Sequence, residues 1–151
     1  MKILMVCLGN ICRSPLAEGI LQAKANSKGL DIKVDSAGTG GWHVGQGPDH
    51  RAVAIANKYG IDISQQQARQ FSSTDFEGFD IIYAMDGSNL SDIVSLANSN
   101  KDIEKVQLIL NEINPEDNTP VPDPYYGGDD GFEKVYQLLE AACEIITKKR
   151  S

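Results

Sequence analysis

The sequence predicts an α/β fold: a single domain built on a four-stranded, parallel, doubly wound sheet with helices on both faces. Short apolar segments, each long enough for one strand, alternate with longer segments whose apolar residues recur at helical spacing. Such alternation favours a parallel sheet. Because the chain of 151 residues shows no repeat, low-complexity tract or long linker, residues 1–151 are expected to form one domain.

The first part of the chain predicts one strand–helix–strand unit. Residues 2–6 are few and apolar, which is typical of a buried strand. Over 15–28 the apolar residues share one helical face, and Gly29 then provides a typical helix end. Residues 31–35 alternate between polar and apolar side chains, which indicates the second strand. Together these segments have the size of one βαβ unit.

The rest of the chain continues the alternation with longer connections. A glycine-rich surface loop over 36–48 precedes a helix predicted over 48–59. Residues 61–79 are irregular apart from a short helix near 74–77. The later elements are strands over 79–85 and 105–110, helices over 86–97 and 132–148, and a proline-rich loop over 111–131.

Cys7, Ser36 and Asp86 directly follow the first three predicted strands, and the loop that holds Asp123 follows the fourth. Ligands of doubly wound sheets bind beyond the carboxyl ends of the strands, so these residues are expected to meet at one edge of the sheet. The sequence therefore predicts a candidate site at this edge.

Charge and cysteine content exclude several classes of function. The formal net charge of −7 argues against a general affinity for nucleic acid or anionic membranes. No run reaches the roughly 18 apolar residues that a membrane span needs, and the N-terminal apolar stretch is too short for a signal peptide. The three cysteines form no disulfide framework, and neither they nor His43 and His50 show metal-ligand spacing. We expect a cytoplasmic monomer without a metal or other cofactor.

Residues 7–14, Cys-Leu-Gly-Asn-Ile-Cys-Arg-Ser, connect the first strand to the first helix. The backbone N–H groups of such a loop and of the helix start form an anion site, and Gly9 and Asn10 permit a tight backbone. Arg13 offers a planar fork that matches two phosphate oxygens. The same positive field favours the thiolate of Cys7, which is then a nucleophile toward a bound phosphoryl group. The predicted phosphate-binding loop comprises Leu8, Gly9, Asn10, Ile11, Cys12, Arg13 and Ser14, with Ser14 placed to stabilise the thiolate.

A second group of residues lies in the segment 120–128, Pro-Val-Pro-Asp-Pro-Tyr-Tyr-Gly-Gly. Prolines on both sides of Asp123 restrict its backbone, so its carboxyl group can be aimed. A carboxylic acid beside an aromatic wall can keep its proton near neutral pH, protonate a leaving oxygen and then act as a base toward water. Tyr125 and Tyr126 are suited to wall a pocket for a flat group. The alternative is a turn that only caps the sheet.

These two segments resemble the low-molecular-weight protein tyrosine phosphatase family, and the similarity covers essentially the whole chain. The residues that carry it are 6–15 together with Asp123-Pro124-Tyr125-Tyr126, and further matches lie at 35–39, 68–70 and 85–86. The resemblance implies a two-step, metal-free hydrolysis of phosphotyrosine. Cys7 attacks phosphorus, Arg13 and the loop amides hold the equatorial oxygens, and Asp123 protonates the leaving phenolate and later activates water.

The resemblance also implies supporting residues. Those matching Asn10, Ser14, Ser36 and Asp86 hold the loop in shape. Cys12 matches a second loop cysteine that can pair with Cys7 under oxidation. The implied partners are phosphotyrosine proteins and phosphate-like inhibitors such as vanadate. The pocket rim comprises Ile11, Trp42, His43, Tyr125 and Tyr126, although a lone tryptophan in a glycine-rich loop equally fits a core plug.

The sequence departs from the family at Gln66, where many members have a histidine, so the network around the loop is expected to be wired differently. Several alternatives stay open. Protein-arginine phosphatases of the same fold carry a small polar residue where Ile11 stands. An arsenate reductase on this scaffold needs further cysteines, and only Cys143 lies outside the loop. The presence of Cys7, Arg13 and Asp123 together disfavours a non-catalytic phosphate-binding or redox-sensing module. A nucleotide-binding Rossmann domain needs the glycines of the G-x-G-x-x-G motif, which the first loop lacks.

Overall fold

The computed structural model describes residues 1–125 and 129–150. The strands are β1 (Lys2–Cys7), β2 (Lys33–Gly38), β3 (Ile81–Ala84) and β4 (Val106–Leu108). The helices are α1 (Arg13–Ser27), α2 (His50–Lys58), α3 (Asp75–Gly78), α4 (Gly87–Val94), α5 (Asn100–Glu104) and α6 (Asp129–Arg150). All four strands pair in parallel in the order β2-β1-β3-β4. The predicted doubly wound α/β fold is therefore confirmed.

Both faces of β1 are buried, which explains its continuous apolar run. Ile3 and Met5 belong to the core cluster that α1 and α6 cover, and this cluster also contains Leu139 of α6. Leu4 and Val6 belong to a second cluster on the opposite face, which α4 covers. Helices on both faces of the sheet are thus required by the side-chain alternation along a single strand.

Most elements differ from the prediction by a few residues at their ends, and three of these differences have a structural reason or extend an element. β2 spans Lys33–Gly38 instead of 31–35, because it pairs residue by residue with the whole of β1. α1 begins at Arg13, so Pro15 is its third residue and still lies in the first turn, where its missing N–H costs no intrahelical bond. α6 begins at Asp129, three residues before the predicted start.

The segment around β4 differs most from the prediction. β4 ends at Leu108, and the apolar run continues into a 3₁₀ turn, Ile109–Glu112, where a longer strand was expected. The helix α5 was not predicted, because none of its residues is buried and it therefore has no apolar face. Its only sequence signal is the cap, since the Ser99 side chain accepts a hydrogen bond from the N–H of Asp102 at 3.2 Å.

The order of the strands creates a crevice at the carboxyl end of β1. The chain runs from β1 to β2 on one side and from β3 to β4 on the other, so the connections after these two neighbouring strands leave in opposite directions. Ligands of doubly wound folds bind at such a switch point. Cys7 ends β1 and Asp86 caps α4 just after β3, so both lie at this edge. Among the described residues, no helix is long and apolar enough to cross a membrane.

Candidate active site

At the start of the loop after β1, the carbonyl oxygens point toward the segment that follows β2. The N–H groups of residues 39–40 donate to the oxygens of Cys7 and Leu8, each at 2.9 Å. C=O and N–H point in opposite directions across a trans peptide unit, and no described peptide bond is cis, so the N–H groups of Leu8 and Gly9 face the other way. These residues line a cavity, to which the loop therefore presents N–H donors. The close approach requires glycine at Gly38, where a Cβ would lie 2.8 Å from the Leu8 oxygen.

Asn10 determines the shape of the loop. It adopts a left-handed backbone conformation with φ of 58°, which asparagine tolerates better than most residues. Its buried amide makes three hydrogen bonds. The oxygen accepts from the N–H of Arg69 at 3.0 Å, and the nitrogen donates to Ser14 Oγ at 2.8 Å and to Ser36 Oγ at 3.0 Å. These contacts connect the loop with Ser14 on α1, with Ser36 on β2 and with the backbone of Arg69.

The sulfur of Cys7 lies within this network, and the residue is only 3% exposed. It accepts a hydrogen bond from the N–H of Asn10 at 3.3 Å and lies 3.0 Å from Ser14 Oγ. Because Ser14 Oγ accepts from the amide of Asn10, its own proton is available for the sulfur. The other acceptor, the Ala37 oxygen, is farther away at 3.4 Å. Two donors that converge on one sulfur stabilise a thiolate.

Arg13 is buried and held rigidly at the start of α1. Its Nη1 donates to Asp86 Oδ2 at 2.7 Å and to the Val121 oxygen at 3.0 Å. This ion pair and these hydrogen bonds compensate the desolvation cost of burying the guanidinium charge. Nη2 lies 4.0 Å from Asp123 Oδ2, across the cavity mouth. The N–H of Tyr125 donates to Asp123 Oδ1 at 3.0 Å, which orients that carboxyl group.

These groups surround one cavity of about 340 Å³. Trp42 is 71% exposed, so it forms part of the rim and is no core plug. His43 approaches the loop so closely that a Cβ on Gly9 would lie 3.1 Å from its ring. The predicted rim residue Tyr126 lies outside the described residues. The lining comprises Cys7, Leu8, Gly9, Ile11, Cys12, Arg13, Trp42, His43, Asp123 and Tyr125.

Arg51 contacts the rim residue Tyr125 from behind the cavity lining, and sequence reasoning missed it. Its guanidinium lies 5.4 Å from the ring centroid of Tyr125 and 4.8 Å from that of Phe132, within cation–π distance. It also pairs with Asp49 at 3.0 Å and holds the pKa of that carboxyl group below its usual value. Asp49 in turn caps α2. In the sequence, Arg51 resembles any charged residue of a helix surface, and only the capping aspartate two residues earlier marks its place.

Burial changes the acidity of two further groups beside the loop. It raises the pKa of the Cys12 thiol to about 12, with the Asp49 carboxylate adding to the effect. Cys12 is therefore a neutral thiol at physiological pH. Burial also raises the pKa of Glu18 to about 7, against the hydrogen bond from Ser36. Glu18 was not predicted as a site residue, although it stands one helical turn after Ser14 and so shares its face of α1.

A family model described as low molecular weight phosphotyrosine protein phosphatase matches residues 2–150. The chain belongs to this family. It is 44% identical over 147 residues to a low molecular weight protein-tyrosine-phosphatase of Bacillus subtilis, covering 96% of this chain and 92% of the relative. The resemblance stated from the sequence is confirmed.

Solved structures of this phosphatase family share the whole fold. A protein tyrosine phosphatase of Entamoeba histolytica, with Hepes in its active site, superposes with a TM-score of 0.92 at 38% identity. The match covers 99% of this chain and 96% of that one. A Drosophila arginine phosphatase superposes with a TM-score of 0.89 at 35% identity, covering 99% of this chain and 97% of that one. The fold therefore carries phosphatases named for two different phosphorylated residues.

Proposed function

We propose that this phosphatase hydrolyses phosphotyrosine in proteins through a cysteinyl-phosphate intermediate. The observation that carries the proposal is the convergence on one cavity of a doubly hydrogen-bonded Cys7 sulfur, loop N–H donors, the Arg13 guanidinium and the Asp123 carboxyl group. A nucleophile, an oxyanion site and a proton donor are the three parts that phosphoryl transfer to a thiolate needs.

In the first step, the Cys7 thiolate attacks phosphorus and the bond to the tyrosine oxygen breaks. Asp123 gives its proton to that oxygen, so the tyrosine leaves neutral. Arg13 holds equatorial phosphate oxygens with the donors that Asp86 leaves unused, and the loop N–H groups bind the same oxygens. Because Asp86 and Val121 fix the guanidinium beforehand, little reorganisation is needed when the phosphate binds.

In the second step, a water molecule attacks the cysteinyl phosphate from the side that the tyrosine has left. Asp123 is now a carboxylate and removes the proton from that water, which forms inorganic phosphate as the bond from phosphorus to sulfur breaks. The Ser14 hydroxyl donates a hydrogen bond to the departing Cys7 sulfur, 3.0 Å away, and so stabilises the regenerated thiolate. Every charge in this scheme is compensated by groups of the protein, so the proposed reaction needs no metal or other cofactor.

The walls of the cavity support a phenyl ring as the leaving group. The exposed Trp42 and the Tyr125 ring, which Arg51 holds, offer flat apolar surfaces on either side of the mouth. Ile11 adds an apolar surface from the loop. We propose that phosphotyrosine proteins are the substrates, that vanadate inhibits as a phosphate mimic, and that the protein works as a cytoplasmic monomer.

A protein-arginine phosphatase is the second candidate, because the structural relative from Drosophila carries that name. Paired peptides, identical except for phosphotyrosine or phosphoarginine, distinguish the two in one competition assay that contains EDTA. We expect at least about tenfold higher kcat/KM for the phosphotyrosine peptide, since Ile11 places no polar group against a guanidinium. EDTA should leave the rate unchanged. In a parallel assay without EDTA, which would complex vanadate, vanadate should inhibit competitively. Equal or inverted preference would overturn the substrate class, and loss of activity in EDTA would overturn the metal-free reaction.

Mild peroxide should inactivate the enzyme reversibly. Peroxide oxidises the Cys7 thiolate to a sulfenic acid, which condenses with the Cys12 thiol to a disulfide and releases water. Both cysteines lie in the tryptic peptide 3–13, whose mass should fall by two hydrogens and return with dithiothreitol. In the Cys12→Ser variant, oxidation should proceed to the sulfinic acid and dithiothreitol should restore little activity. Full recovery of that variant would show that Cys12 does not protect Cys7.

A further inference from the structure

A chain of hydrogen bonds leads from the nucleophile to Glu18 behind the loop. The sulfur of Cys7 lies 3.0 Å from Ser14 Oγ, which accepts from the amide nitrogen of Asn10 at 2.8 Å. The same nitrogen donates to Ser36 Oγ at 3.0 Å, and Ser36 Oγ donates to Glu18 Oε1 at 2.7 Å. Four short contacts thus connect a carboxyl group on α1 with the reacting atom.

The amide of Asn10 orients the donors in this chain. The N–H of Arg69 donates to the amide oxygen of Asn10, so the amide nitrogen must face the two serines. Each serine accepts from this nitrogen and keeps its own proton for the group beyond it. Ser14 therefore donates toward Cys7 and Ser36 donates toward Glu18. A change at Glu18 is transmitted through Ser36 to the residue that shapes the loop.

Glu18 shares a cavity with a neutral side chain, Gln66, at the position where many members of the family have a histidine. It lines a second cavity of about 490 Å³ together with Gln66. The Gln66 side-chain nitrogen donates to the Pro15 oxygen at 3.1 Å. Its other amide atom, Oε1, is an acceptor and is not part of this hydrogen bond. Within the described part of the chain this buried oxygen has no hydrogen-bond partner. A carboxylic acid proton is the donor that such an oxygen lacks, whereas a carboxylate beside it would be repelled.

The charges around Glu18 do not compensate its ionised form. Burial is the largest influence and raises its pKa to about 7. Asp35 on β2 also disfavours ionisation, while Arg69 favours it and is itself shared with Asp35 and Asp75. Asp62, which also lines the second cavity, adds no positive charge. Glu18 is thus a carboxyl group whose protonation changes within the working pH range of a phosphatase.

We propose that Glu18 is a positioning residue that regulates the phosphate-binding loop: it supports dianion binding when protonated and weakens it when ionised. The effect acts through Ser36 and Asn10 and through the charge itself, because a carboxylate behind the loop repels a dianion in front of it. The inference rests on the proposed phosphatase reaction only for its biological meaning. Anion binding, which tests it, can be measured without turnover.

Glu18→Gln imitates the protonated side chain and provides the first test. Sulfate stays a dianion from about pH 5.5 to about pH 8.5, so its affinity reports the protein's own titration. Affinities of wild type and variant should agree at the acidic end, and the variant should bind sulfate about three- to tenfold more tightly at the alkaline end. Glu104→Gln, an exposed glutamate at the other edge of the sheet, should follow the wild type throughout. A wild-type pH profile in Glu18→Gln would overturn the proposal.

The second test titrates Glu18 directly by NMR of protein labelled with ¹³C at the glutamate carboxyl carbon. We expect one signal, missing in Glu18→Gln, with a midpoint near pH 7. Because linkage is reciprocal, saturating sulfate should raise this midpoint by about half to one pH unit. Should Glu18→Gln fail to fold, the sulfate-dependent midpoint in the wild type still decides. Glutamate signals that all titrate in the ordinary acidic range would refute the inference, while absent turnover with this titration intact would refute only the proposed function.

Discussion

Replacing Cys7 with serine should lower kcat for aryl phosphate hydrolysis by roughly 10⁴-fold or more, because a serine hydroxyl in this loop is a far weaker nucleophile than a thiolate. The two donors that stabilise a thiolate, Ser14 and the N–H of Asn10, do not make a hydroxyl ionise. The binding site for dianions should survive, since the loop N–H groups and Arg13 are unchanged. Steady-state kinetics and sulfate binding by calorimetry measure the two effects separately.

The matched control is Cys143→Ala. Cys143 is fully buried on α6, packed among core side chains away from the cavity. Its replacement should lower the free energy of unfolding by about 1–2 kcal/mol and leave kcat unchanged. Cys7→Ser should show the opposite pattern, with loss of turnover and little change in stability. Residual activity of Cys7→Ser near the wild-type level would refute the role of Cys7 as nucleophile.

The elements that position the site were predictable because their signals are local. β1 is buried on both faces and therefore appears as an unbroken apolar run. The residues from Cys7 to Ser14 occupy one short connection, so their order alone brings a sulfur, a guanidinium and a helix start together. By contrast, the apolar run over 105–110 changes from strand to 3₁₀ turn at Ile109, and hydrophobicity does not distinguish these two buried conformations.

The parts of the site that were missed depend on residues distant in the sequence. Arg51 contacts the rings of Tyr125 and Phe132, which lie more than seventy positions later in the sequence. The residues next to Arg51 in the sequence do not indicate these contacts. The proposed role of Glu18 depends on its hydrogen bond with Ser36 on β2 and on the neutral side chain at Gln66. Local pattern predicts which groups can react, whereas tertiary contacts decide how their acidity and orientation are adjusted.

Asp123→Asn should separate the chemistry of the leaving group from anion binding. Asparagine keeps the shape that the N–H of Tyr125 orients but has no acidic proton to transfer. For phenyl phosphate, kcat/KM should fall about 10²–10⁴-fold. For 2,4-dinitrophenyl phosphate, whose oxygen leaves readily without a proton, the fall should stay below about tenfold. kcat/KM is the informative quantity because it reports the steps up to the first release of product, before Asp123 would activate water.

The same variant should bind sulfate more tightly than the wild type. Asp123 Oδ2 lies 4.0 Å from Arg13 Nη2, so the carboxyl group competes with an incoming dianion for the guanidinium. A neutral amide in its place competes less, so sulfate binding should strengthen about two- to fivefold. Asp117→Asn in the same loop, where the aspartate is exposed and accepts a hydrogen bond from Thr119, should change neither quantity. Equal losses with the two substrates would show that Asp123 is not the general acid, because only proton transfer distinguishes a poor leaving group from a good one.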